Sequence, residues 1–156
     1  MLLVDASALE ENEFVILLLC KKSSPKFAAA DGDASKVAEL LSEGMSVDIR
    51  EQAFTPLMVA AIRGHTEVCR LLLKTDKANV KETTSKGFTP LLSAAQRGHT
   101  EVCELLLEKG SELEEKEPDT QFTALHFAAI DGHESLLQLL LSHRDADVNS
   151  RDRTEK

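Results

Sequence analysis

Apolar and polar positions along this chain follow one pattern three times: TPLMVAAIRGHTEVCRLLL at 55–73, TPLLSAAQRGHTEVCELLL at 89–107 and TALHFAAIDGHESLLQLLL at 123–141. An offset of 34 residues carries Phe54-Thr55-Pro56-Leu57 onto Phe88-Thr89-Pro90-Leu91 and then onto Phe122-Thr123-Ala124-Leu125. Gly64, Gly98 and Gly132 share that register, as do Ala60-Ala61, Ala94-Ala95 and Ala128-Ala129, and the triplets Leu71–Leu73, Leu105–Leu107 and Leu139–Leu141. A weaker copy lies upstream, where Ala28-Ala29, Gly32 and Leu40-Leu41 match the second copy at an offset of 32.

Each copy predicts two short helices. Thr55 or Thr89 serves as the N-cap of the first, and Pro56 or Pro90 sits at its first position, where a missing N–H costs nothing. Gly64, Gly98 and Gly132 end that helix as residues able to take positive φ. The second helix starts at about Glu67, Glu101 and Glu134, with an acidic residue at the positive end of its dipole and an apolar stripe through Val68, Leu71 and Leu72. Helices of two or three turns are unstable alone, so each copy must bury its apolar face on its neighbours. The expected fold class is all-α: an α-solenoid of stacked helix-turn-helix repeats with hairpin-like loops, the repeats falling at about 24–49, 50–82, 83–115 and 116–152 within a domain spanning 24–156.

The ends differ from the middle. Residues 1–23 make no complete repeat, but Glu13-Phe14-Val15-Ile16-Leu17-Leu18-Leu19 resembles the second helix of a unit, and Ser7 with Glu10 has capping-box spacing. A helix over 8–22 is expected to cover the apolar end of the stack, since a solenoid needs such a covering. At the other end Leu136, Leu137, Leu139 and Leu140 have not been made polar, and Asp147-Val148-Asn149-Ser150-Arg151-Asp152 reads as the start of a further repeat. That favours a chain cut from a longer array, monomeric or weakly self-associating through its exposed end repeats.

Charge and cysteines narrow the partners. The formal charge of −9 opposes phosphate backbones, whose binding depends on Lys and Arg displacing counterions, and anionic membranes; nucleic acid and membrane are disfavoured as partners. Composition agrees with helices, at 42% hydrophobic with neither Trp nor Tyr. Cys20, Cys69 and Cys103 are odd in number and far apart, a poor disulfide framework. A reducing compartment, cytoplasmic with the nucleus as the alternative, is expected. The apolar run Phe14–Cys20 is too short to span a bilayer, and its positive charges follow it.

Reactive chemistry finds few footholds. His65 with Cys69 and His99 with Cys103 have the spacing of helical metal ligands, but each histidine falls in the turn after a glycine, each pair supplies two ligands where a structural zinc site needs four, and His133 is followed by Leu137. Asp31-Gly32-Asp33-Ala34-Ser35 opens like a calcium loop, yet Lys36 stands where glycine is required and Ser42 where glutamate is, so helix capping is the better account. G-x-S-x-G, H-E-x-x-H, P-loop and G-x-G-x-x-G motifs do not occur. Catalytic residues, cofactors and metals are therefore assigned as none.

These repeats resemble the ankyrin family, whose pattern of T-P-L-H-x-A-A, Gly-His and E-V-V-x-L-L-L the three copies follow. The turn glycine of that pattern survives as Gly87, with Ala53 and Gln121 elsewhere, and its histidine as His126, with Met58 and Leu92 elsewhere. The resemblance implies inter-repeat hydrogen bonding by His65, His99 and His133. It also implies a protein-binding scaffold or adaptor whose hairpin tips and first helices line a concave groove: Glu51, Gln52, Phe54, Ile62 and Arg63; Ser85, Lys86, Phe88, Gln96 and Arg97; Asp119, Thr120, Phe122, Ile130 and Asp131. Phe54, Phe88 and Phe122 form a row that either anchors a partner or packs between hairpins. Glu112, Glu114, Glu115, Glu117 and Asp119 against Lys116 predict an acidic finger that steers a basic partner segment or is simply solvated. Stoichiometric inhibition of an enzyme such as a kinase is the alternative role, and oligonucleotide sensing a third that the charge opposes. Asn149 resembles the context in which asparagine hydroxylases modify such repeats.

Overall fold

The computed structural model describes residues 29–44 and 54–143. The covering helix expected within 1–23, and the residues Glu51, Gln52 and Asn149, lie outside the described residues. Among the described residues seven helices follow one another: α1 (Ala34–Ser42), α2 (Pro56–Arg63), α3 (Thr66–Lys74), α4 (Pro90–Gln96), α5 (Thr100–Glu108), α6 (Ala124–Ile130) and α7 (Glu134–Ser142). Residues 29–31 are helical and stop at Gly32, which makes α1 the second helix of the upstream, weaker copy.

The predicted punctuation is what starts and stops these helices. Thr55 and Thr89 are extended, and each hydroxyl accepts from the backbone N–H three residues on, Met58 and Leu92, at 3.2 Å. Thr123 uses the family histidine instead: its backbone N–H donates to Nδ1 of His126 at 3.1 Å. Met58 offers only a thioether sulfur 3.5 Å from the Thr55 N–H, a weak acceptor. Gly64, Gly98 and Gly132 end the first helices at φ of 73, 75 and 70°, where a β-carbon would cost about 1–2 kcal/mol. Asp33, suspected of starting a calcium loop, is the N-cap of α1 and accepts from Lys36 N at 2.9 Å.

Burial sorts the helices into two layers. Every residue of α2 from Pro56 to Ile62 is buried, as is every residue of α4 from Pro90 to Ala95. A helix apolar all round belongs inside. The second helices are amphipathic: α3 buries Val68, Cys69, Leu72 and Leu73, and α5 buries Val102, Cys103, Leu106 and Leu107. In the inner layer α2 packs on α4 and α4 on α6, while α1, α3, α5 and α7 pack in series outside it. The alanine pairs Ala60-Ala61 and Ala94-Ala95 have no exposed surface and keep the layers close. Leu72, Leu106 and Leu140, equivalent by repeat, are likewise fully buried, and truncating any one to alanine would cost about 2–5 kcal/mol.

Candidate partner-binding face

Two hairpin loops lead into α4 and α6, and each is held by one side chain at its base. In the loop over 84–88, Thr84 N–H donates to Phe88 O and Gly87 N–H to Thr84 O, both at 2.9 Å, while the Thr84 hydroxyl accepts from Phe88 N at 3.2 Å and Lys86 N at 3.3 Å. Gly87 closes the turn at φ 81°. A β-carbon there would collide with the ring of Pro118 in the next loop. Ser85 and Lys86 are left exposed at the tip.

The loop over 117–122 is one residue longer and replaces the hydroxyl with a carboxylate. Glu117 N–H donates to Phe122 O at 2.9 Å, and the Glu117 carboxylate accepts from Asp119 N at 2.9 Å, Thr120 N at 2.7 Å and the Thr120 hydroxyl at 2.5 Å. With 4% of its surface exposed, Glu117 is not part of a solvated acidic finger; it is the internal brace of the turn. Gln121 takes the left-handed conformation at φ 64° in the place of the missing glycine, and its side-chain amide donates to Pro118 O at 3.0 Å. Glu112 is also engaged, pairing with Lys81 of the preceding loop; both groups are largely exposed, so the pair contributes little. Of the predicted acidic cluster, Glu114 and Asp119 are exposed and Glu115 is half-buried.

The aromatic row is partly packing. Phe88 and Phe122 are half-buried and converge on Phe127, with ring centroids 5.7 and 5.4 Å from it, and Phe122 also stacks on His126 at 5.5 Å. Phe127 was not singled out from the sequence. It stands at the register of Val59 and Ser93, and the signal was an aromatic appearing where the other copies have small residues. Phe54 is also half-buried.

The remaining predicted positions divide by exposure. Arg63, Gln96 and Asp131 are exposed, Arg97 is half-buried, and Thr120 is exposed at the third loop. Ile130 is the most exposed large apolar residue described, at 62%. Ile62, expected to line the same groove, is 6% exposed, so little of it can reach a partner.

The repeats are tied together directly beside this face. Nε2 of His65 lies 2.9 Å from Ala30 O, Nε2 of His99 3.0 Å from Ile62 O, and Nε2 of His133 3.0 Å from Gln96 O. A carbonyl can only accept, so in each ring Nε2 carries the proton and Nδ1 is left as the acceptor. Burial pushes the His99 pKa below its ordinary value, against the opposing pull of the Ile62 carbonyl, with the positive Arg97 adding to the lowering. The adjacent cysteines face the core: burial drives the thiols of Cys69 and Cys103 up to about 12. A ring committed to a carbonyl and a thiol that resists ionisation make poor metal ligands.

The family model for ankyrin repeats (3 copies) matches residues 3–83, 26–117 and 77–152 of this chain. No curated protein matches it.

Proposed function

The chain belongs to the ankyrin-repeat family, and on that premise we propose that it is a protein-interaction module that holds a partner protein on the hairpin tips and first helices, without catalysis. Family membership gives the general role, because ankyrin repeats are protein-binding units; fold alone does not give the site. The observation that carries the site is that exposed residues of different chemistry stand at repeated register positions on a rigid inner layer: Arg63, Gln96 and Ile130 with Asp131 on the helices, Ser85, Lys86, Asp119 and Thr120 on the loops. Half-exposed Phe54, Phe88 and Phe122 run beside them, and aromatic and Arg side chains are the types that dominate binding energy when desolvated. Among the described residues no helix is long and apolar enough to cross a membrane, and we place the protein in the cytoplasm.

The test is capture of partners from cytosolic lysate on the immobilised full chain, compared with Ile130→Asp, Phe54→Ala, Phe88→Ala and Phe122→Ala. Circular dichroism of each variant separates lost contact from lost packing, which matters for Phe88 and Phe122 because both touch Phe127. Partners lost from folded Ile130→Asp and Phe54→Ala place binding on this face. Partners retained by all four move the search to Glu112–Glu115 and the first 23 residues.

A further inference from the structure

Each unit is joined to the one before it by the same two-part contact. The imidazole of His65, His99 or His133 donates to the carbonyl of Ala30, Ile62 or Gln96. The ring also lies against Gly32, Gly64 or Gly98, where a β-carbon would come within 2.5–2.7 Å of Nδ1. The last unit carries the same receiving parts. Ile130 stands at the register of Ile62 and Gln96, and among the described residues no histidine donates to its carbonyl. Gly132 turns at φ 70°, as its counterparts do, and a β-carbon on it would meet nothing within 4 Å.

The apolar positions around these parts agree. Ala61 and Ala95 are fully buried, whereas Ala129 at their register is exposed. Leu73 and Leu107 are 3% and 9% exposed, whereas Leu141 is 48% exposed. Leu137, half-buried, stands where Cys69 and Cys103 are fully buried. On one side α6 packs on α4 and α7 on α5; among the described residues no further helix packs on the other side. The end face of α6 and α7 is thus the kind of surface that interior units bury, with a carbonyl acceptor, an open glycine and a small residue that permits close approach.

We infer that this end face, a surface additional to the hairpin-tip face proposed above, docks a helix pair of a different protein whose connecting turn carries a histidine directly after a glycine. The imidazole donates to the Ile130 carbonyl and lies against Gly132, while small and aliphatic side chains of the pair close on Ala129, Leu137 and Leu141. A second copy of this chain does not supply that turn. Its histidines at 65, 99 and 133 are each bonded within the chain, and its first unit has Gly32-Asp33 where the others have Gly-His. The Asp33 carboxylate is the cap of α1; as an acceptor it would meet the Ile130 carbonyl with no proton between them. Two copies meeting end face to end face would bring Asp131 and Glu134, both exposed, against their own kind. The same two carboxylates favour a pair with Lys or Arg at its rim.

The probe is a labelled synthetic copy of residues 50–82, which carries Gly64-His65 in its turn and has six Lys or Arg against four Asp or Glu. One such unit is barely helical alone, so docking on the full chain should raise both its fluorescence anisotropy and the helicity seen by circular dichroism. The peptide with His65→Ala should bind about fivefold more weakly or worse. Ala129→Arg in the chain should abolish binding; the position is exposed, so the variant keeps its own helices. Joined to Lys156 by a flexible Gly/Ser linker, at roughly millimolar effective concentration, the same unit should raise the urea midpoint, and Ala129→Arg should cancel the rise. No binding of the free peptide together with no rise from the tethered one overturns the inference, as does binding indifferent to His65→Ala or to Ala129→Arg. Self-association of the chain that Ala129→Arg breaks would make a second copy the occupant. Hydrogen exchange over 129–141 in the chain alone as slow as over 95–107 would mean that the chain covers this face itself; both results also overturn it. The hairpin-tip reading is tested apart from these, by Phe54→Ala, Phe88→Ala and Phe122→Ala.

Discussion

The imidazole of His99 occupies the space that a side chain on Gly64 would need: a β-carbon there would lie 2.5 Å from Nδ1. The same glycine sits at φ 73°, so two separate physical demands fall on one position. Gly132 has the second without the first, because it takes φ 70° but a β-carbon on it would meet nothing within 4 Å. Gly132→Ala should cost about 1–2 kcal/mol from backbone strain alone. Gly64→Ala should cost about 3 kcal/mol or more, since the held ring must also move or lose its bond. Urea unfolding of both variants measures the difference, and equal losses would show that the close approach contributes nothing.

Stability should fall as the solution is acidified below pH 6.5. His99 titrates lower in the folded chain than its ordinary value because burial disfavours the cation. The unfolded chain therefore binds the proton first, and in the window from the ordinary pKa down to the folded one each step in acidity favours unfolding. Above that window the neutral ring is common to both states and the effect vanishes. Urea midpoints from pH 7.5 to 5.5 should decline more steeply for the native sequence than for His99→Gln; parallel declines would assign the pH dependence to other groups.

Glu117→Gln should destabilise the protein by about 1.5–3 kcal/mol. The carboxylate accepts two N–H groups and a hydroxyl at 4% exposure, and an amide would turn one acceptor into a donor facing donors. Glu112→Gln, on an exposed pair with Lys81, should leave the midpoint within replicate scatter. Denaturant titration of the two side by side checks both statements, and similar shifts would return Glu117 to the surface.

Cys69 and Cys103 should resist thiol reagents in the native state. Both are fully buried, with their thiols raised to about 12, so at pH 8 the reactive thiolate is scarce as well as covered. In a Cys20→Ser background, labelling should be negligible natively and reach both thiols in denaturant. Fast native labelling would mean that α3 and α5 open readily.

Sequence alone carried the repeat and the caps, because those depend on residues whose role is local: Thr55 and Thr89 cap, Gly64 and Gly98 turn; the seam, where His65 and His99 reach one unit back, was legible only through the resemblance to ankyrin repeats. It did not carry the outcome at positions where tertiary context decides. Ile62 and Ile130 are the same residue at the same register, yet one is 6% and the other 62% exposed. Glu117 belongs by composition to an acidic run, and only the fold shows the N–H groups of Asp119 and Thr120 gathered around it. Phe127 was not singled out, and it is the ring on which Phe88 and Phe122 meet.

The seam between units is made by an imidazole and a main-chain oxygen, and it is indifferent to what the residue supplying that oxygen carries. Alanine, isoleucine and glutamine serve it equally at positions 30, 62 and 96. A duplicated unit would inherit its placement without any matching change in its neighbour. Where such a side chain faces outward, as Gln96 does, it can then be rewritten alone, so new specificities are reachable by single substitutions while the ruler beneath keeps its divisions.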